Sequence, residues 1–190
     1  MFINNWKKEV FTIPNLLSLF RLALIPVYMP IYLNANQPRE YVTAAALLAL
    51  SCFTDLIDGF IARRFHMVST VGKILDPIAD KLTQLTLTLC LSVKYPVLRF
   101  VLLLLAVKEL FQCVMGLIHL RRGRMLPGAL AAGKICTAVL FLSLITLVLF
   151  PQLDAAVVDT VAIVDICFLS YSFAHYIRAY FGTDMQIEDL

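Results

Sequence analysis

Four aspartates fall within one stretch, DLIDGFIARRFHMVSTVGKILDPIAD, which runs from Asp55 to Asp80. Asp55 and Asp58 are three apart; Asp76 and Asp80 are four apart. On a helix, either spacing puts both carboxylates on one face, with Cβ atoms about 5–6 Å from each other. The flanking runs are apolar enough to span a membrane. An acidic side chain there costs about 2.5–3.5 kcal/mol at the helix centre, so four of them need compensating charge. A bound divalent metal cluster supplies it. Carboxylate oxygens are hard ligands, which favours Mg²⁺ over Zn²⁺, with Mn²⁺ or Ca²⁺ as alternatives. Two acid pairs suit two ions about 3.5–4 Å apart, the arrangement used for phosphoryl chemistry. Asp80, beside Lys81, is the candidate general base for an acceptor hydroxyl. Arg63 stands about one turn beyond Asp58, where it reaches a phosphate or an acid. Gly59 sits in a helical stretch, where glycine costs about 1 kcal/mol against alanine; close approach of a ligand or a helix would use it. Ala62 and Gly72 are likewise small. The competing reading of the acids is a salt-bridge network with Arg21, Arg63, Lys81 and Lys108.

These residues need helices to hold them. The chain has 190 residues, 61% of them hydrophobic, with a mean hydropathy of +0.84. Soluble domains are nearer half apolar, so an integral membrane protein is expected, with one domain over residues 1–190. A span needs about 20 mostly apolar residues. Six candidates fit: 16–33, 41–62, 69–93, 97–120, 130–150 and 155–180. Pro14 suits a first helical turn, and Pro151 ends the fifth span. Trp6, Val10 and Phe11 beside Lys7 and Lys8 predict a short interfacial amphipathic helix. The expected fold is therefore all-α: six transmembrane helices plus that N-terminal helix. With the N-terminus inside, Lys7, Lys8, Arg63, Arg64, Lys73, Arg121, Arg122, Arg124, Lys134 and Arg178 face the cytoplasm. Only Arg39, Lys94 and Arg99 face out. That asymmetry obeys the positive-inside rule and puts both termini and the acidic segment on the cytoplasmic side. The formal charge of +3, with no basic stripe, argues against nucleic acid. The five scattered cysteines lack a CxxC pair and read as buried small hydrophobes rather than disulfides or a zinc site. No apolar leader opens the chain, so a cleaved signal peptide is not expected.

The acidic segment resembles the signature of the CDP-alcohol phosphotransferase family at every fixed position: Asp55, Asp58, Gly59, Ala62, Arg63, Gly72, Asp76 and Asp80. All intervening spacings match. IPNLLSLFRLALIP (Ile13 to Pro26) and GKICT (Gly133 to Thr137) are similar to segments of bacterial phosphatidylglycerophosphate synthases and of related single-motif cardiolipin synthases. The resemblance implies an enzyme that transfers a phosphatidyl group from CDP-diacylglycerol to an alcohol and releases CMP. It implies that Asp55, Asp58 and Asp76 hold two metal ions, Mg²⁺ or Mn²⁺. Asp80 would be the base and touch a metal too. Asp55, Asp58, Gly59, Ala62, Arg63 and Gly72 would line the nucleotide site. A homodimer in the bacterial plasma membrane is implied as well.

The acceptor stays open between two phosphate-bearing alcohols. Lys108, Arg121 and Lys134 are the expected acceptor-binding residues, with Arg122 and Arg124 nearby, and glycerol 3-phosphate stands first. Phosphatidylglycerol, and so cardiolipin synthesis, is the alternative. Lys108 stands where the resembling synthases carry arginine; Gly116 and Cys136 also replace basic residues. Plainer roles fit the rest. Lys108 and Glu109 can simply shield each other. Asp165 reads as a packing polar residue between helices, Asp159 as exposed at the outer surface, His66 as a loop residue, and His119, His175, Tyr171 and Tyr176 as interface or packing residues. A divalent-cation transporter is a remote alternative; its polar residues should continue to the outer face, and here they thin out. A lipid-binding scaffold without catalysis would not need the candidate base.

Overall fold

A computed structural model of the protein describes residues 12–37, 39–44, 46–48, 50, 51, 54, 72–121 and 131–181. The expected interfacial helix and the polar tail lie outside these residues. So does most of the second expected span, with Asp55 and Asp58.

Among the described residues the regular structure is helical throughout. Helix α1 is Ile13–Leu33, with proline in its first turn and an extended Thr12 before it. It begins three residues earlier than the hydropathy suggested, because Pro14 is already shaped for a first turn. Pro26 and Pro30 lie inside it. Each removes a backbone donor, a loss that spanning helices tolerate when neighbours take up the freed groups. At the helix end, the Asn34 amide N–H and its Nδ2 both donate to the Pro30 carbonyl, at 3.0 and 2.9 Å. Residues 39–44 are helical again. Glu40 fastens that start, accepting the N–H groups of Asn36 and Gln37 at 2.6 and 3.0 Å. These two bonds hold the Glu40 carboxyl below its ordinary pKa.

Helix α2 is Gly72–Lys94, α3 Leu98–Arg121, α4 Ala131–Leu149 and α5 Ala155–Phe181. Among the described residues, four helices are long and apolar enough to cross a membrane: Asn15–Leu33, Leu98–His119, Ala131–Leu149 and Ala155–Phe181. The protein is a multi-pass membrane protein. Helix α2 has spanning length, at about 1.5 Å per residue. It is set apart by composition: Lys73, Asp76, Asp80 and Lys81 crowd its first half, and Thr83, Gln84 and Thr88 are buried behind them.

The chain divides into two compact units, one ending at Cys90 and the other starting at Leu91. In the first, α1 buries one stripe: Asn15, Ser18, Arg21, Leu24, Tyr28 and Tyr32. Its N-terminal half is polar and its C-terminal half apolar. Ser18 meets Asp76 and Arg21 meets Asp80, so α1 and α2 run parallel there.

In the second unit, α3 and α4 both pack on α5. Phe111 of α3 sets edge-on against Phe173 and Tyr180 of α5, with centroids 5.3 and 5.7 Å apart. Later residues of α3 meet later residues of α5, so these two run parallel; Gly133 against Tyr176 and Ser143 beside Asp165 make α4 and α5 antiparallel. The Tyr95 hydroxyl donates to the Pro151 carbonyl at 3.0 Å, which puts the α2–α3 and α4–α5 turns at one end. Large apolar side chains such as Phe100, Leu110, Leu142 and Phe181 point outward, a surface suited to lipid rather than water. Cys113 and Cys167 are exposed on it, unlike the buried Cys90 and Cys136. Interior burial was expected for all the cysteines; on a lipid-facing surface a small apolar thiol is equally at home.

Candidate functional site

Asp76 and Asp80 project from one face of α2, one helical turn apart. Each is held from α1. The Ser18 hydroxyl donates to Asp76 Oδ1, and the Arg21 guanidinium pairs with Asp80 Oδ1. Arg21 is buried, with 2% of its side chain exposed, while 42% of the Asp80 side chain is exposed. The cation thus lies behind the carboxylate, leaving the acid open on its other side. A buried arginine is tolerated because it is paired and hydrogen-bonded. Gly72 opens the helix. Asp55, Asp58, Gly59, Ala62 and Arg63 lie outside the described residues. Among the described residues no three acidic, histidine or cysteine side chains gather into a metal cluster; the acidic pair on α2 is one half of the expected site. Two partly exposed carboxylates on one face, both fixed in orientation, are a donor set that fits a hard divalent cation.

The salt-bridge reading was right about Arg21 and Asp80. Ser18 went unnoticed in the sequence. Asn15, Ser18 and Arg21 recur every three residues in an otherwise apolar run, and that spacing was the available signal.

The second unit holds a separate polar cluster. Lys108 is 3% exposed and Glu109 10%, and their side chains meet at 2.7 Å. Neighbours in sequence do not face each other on a helix, so the long lysine side chain bends back to reach its partner. Lys108 also donates to Gln112 Oε1 at 3.4 Å and lies 5.7 Å from the centre of the Tyr176 ring. Mutual shielding of Lys108 and Glu109 is therefore seen. Arg121 and Lys134 are exposed, at the end of α3 and the start of α4. Cys136 is buried against Ser172, and Asp165 lies beside Ser143. Asp165 is 1% exposed, with the Ser143 side chain as its near polar neighbour. It is the interhelical polar residue that the sequence suggested. Asp159 is exposed. His119 is buried, its Nδ1 2.9 Å from the Met115 carbonyl and its ring 5.3 Å from that of Tyr180. His175 is exposed and packs on Tyr171.

Comparison with known proteins places this geometry. The description of CDP-alcohol phosphatidyltransferases, a family of transferase enzymes, matches residues 11–171. A Schizosaccharomyces pombe protein, "Cardiolipin synthase (CMP-forming) / mitochondrial hydrolase fusion protein", is 43% identical over 46% of this chain and 14% of its own length. The cardiolipin synthase (CMP-forming) of Streptomyces coelicolor is 35% identical over 68% of this chain and 61% of its own. The CDP-diacylglycerol–glycerol-3-phosphate 3-phosphatidyltransferase of Rickettsia bellii is 44% identical over 37% of this chain and 38% of its own. In each case the chain spans less than two-thirds of the relative's length. The family description takes in both α2 carboxylates, both α1 residues that hold them and the Lys108–Glu109 pair, over most of the chain, so the chain belongs to the CDP-alcohol phosphatidyltransferase family.

Proposed function

We propose that the protein is a phosphatidylglycerophosphate synthase, transferring the phosphatidyl group of CDP-diacylglycerol to glycerol 3-phosphate with release of CMP. The observation that carries the reading is the Asp76–Asp80 pair, anchored by Ser18 and Arg21 within a chain of this family. Asp55, Asp58, Asp76 and Asp80 would hold two Mg²⁺ or Mn²⁺ ions, and Gly59, Ala62, Arg63 and Gly72 would line the nucleotide site. When bound, the ions neutralise the diphosphate and stabilise the departing CMP. Asp80 takes the proton of the acceptor hydroxyl. The acceptor oxygen bonds to the phosphatidyl phosphorus, and the bond from that phosphorus to the bridging oxygen breaks. CMP leaves with that oxygen. Arg21 keeps the Asp80 carboxylate aimed, an orientational role worth orders of magnitude in rate when geometry is tight. Lys108, Arg121 and Lys134 are the acceptor-phosphate residues in this reading. The active site and both termini face the cytoplasm of a plasma membrane, and the protein is a homodimer.

A second reading, cardiolipin synthesis from phosphatidylglycerol, draws on two observations. Lys108 is already neutralised by Glu109, and the buried Cys136 stands where the resembling synthases carry lysine. The deciding assay supplies purified protein with CDP-diacylglycerol, Mg²⁺ and either acceptor, and identifies the lipid by mass spectrometry. Phosphatidylglycerophosphate supports the first reading and cardiolipin the second. No CMP release with either would remove both.

A further inference from the structure

Resting on the acceptor-phosphate reading above, we infer that Tyr176 is a positioning residue for the acceptor: its ring seats Lys108 and its hydroxyl seats the first turn of α4, which carries Lys134. Two independent contacts meet on this one side chain. On the α3 side, the Lys108 ammonium lies 5.7 Å from the ring centroid, inside the range of about 6 Å over which a cation is drawn to an aromatic face. On the α4 side, the ring tip occupies the space where Gly133 lacks a side chain. A Cβ built there would collide with the Tyr176 hydroxyl and stand 3.0 and 3.1 Å from ring carbons Cε2 and Cζ. A side chain at 133 would force the tyrosine tip to shift, so the two positions are coupled.

The arrangement is braced from behind. Tyr180, one turn along α5, stacks on Tyr176 with centroids 6.4 Å apart, and its hydroxyl reaches the Gln112 carbonyl at 3.5 Å. Gln112 is also the second partner of Lys108. Tyr176 therefore joins the lysine on α3 to the glycine–lysine segment on α4 from a third helix. A tyrosine that only filled space would have no need of a hydroxyl set against bare backbone. Tyr176 meets Lys108 and the neighbour of Lys134 rather than the reacting atoms, and its effect passes through them.

The test is steady-state kinetics on the purified full-length chain in mixed micelles. It uses CDP-diacylglycerol, Mg²⁺ and whichever of glycerol 3-phosphate or phosphatidylglycerol the wild type consumes. Tyr176→Leu removes both contacts; acceptor KM should rise about tenfold while KM for CDP-diacylglycerol stays within about twofold. Tyr176→Phe keeps the ring beside Lys108 and should give a smaller rise. Gly133→Ala should raise acceptor KM strongly, and adding Tyr176→Phe should recover part of that loss, because the hydroxyl is the nearest atom in the way. Equal shifts in both KM values, a fall in kcat alone, or a Gly133→Ala effect unchanged by Tyr176→Phe would overturn the inference. If Tyr176→Leu does not fold, the Gly133→Ala and Tyr176→Phe pair carries the test. A wild type that consumes neither acceptor overturns the reading beneath it; an active wild type with unmoved variants overturns the role of Tyr176 alone.

Discussion

Asp80 and Glu40 show how one carboxylate differs from another by what surrounds it. Asp80 is open on one side and backed by Arg21 on the other, as a general base must be if it is to be both reachable and aimed. Asp80→Asn keeps the shape and removes the proposed base. The expected loss in kcat is about 10²–10⁴-fold, read as CMP release. Glu40 has a structural part. Its two backbone N–H partners favour the ionised form and depress its pKa below the usual 4.5. A depressed pKa contributes order above the unfolded value and loses it as pH falls through the folded one. Protection of the Asn36 and Gln37 amides against hydrogen exchange should therefore hold at neutral pH and fade at acid pH below about 4.5. Glu40→Gln should show weak protection at every pH.

At the scale of the elements, the α1–α2 pairing depends on a polar stripe in an otherwise apolar helix. Arg21→Met should leave α1 helical but remove a charge-assisted bond, worth about 1.5–3 kcal/mol. A lower melting temperature in detergent and a lower kcat should appear together. Ser18→Ala should show the same pattern, more weakly. Within α3 a different device is found, the buried Lys108–Glu109 pair. Lys108→Met leaves a buried glutamate without its partner and should cost about 3–5 kcal/mol. The double change Lys108→Leu with Glu109→Leu should recover most of the melting temperature, since a buried pair often gains little over apolar packing. If Lys108 also binds the acceptor, the double variant will be stable and inactive. Stability with unchanged acceptor KM would reduce the pair to a structural role.

At the scale of the whole molecule, the proposed metal site and the direction of the chain are linked through the membrane. EDTA should abolish CMP release, and Mg²⁺ or Mn²⁺ should restore it. A single cysteine placed near Lys7 and another in the Gly182–Leu190 tail should label from the same face of sealed vesicles. Labelling from opposite faces would mean an odd number of spans.

The sequence by itself determined the class, the helices and the acids. Long apolar runs leave a chain little choice but to form helices in lipid, because every backbone polar group must be satisfied within its own segment. Charged residues inside such runs stand out for the same reason, and that made Asp76 and Asp80 legible, with the family resemblance that follows from their spacing. What a periodic pattern does not carry is the partner across the helix interface. Tertiary structure alone decided that Arg21, among the cations the sequence offered, backs Asp80, and that Ser18 holds Asp76. It also decided that Tyr176 fills the gap left at Gly133. Spacing reports the face a side chain takes on its own helix; which residue meets it depends on the packing of residues tens of positions away.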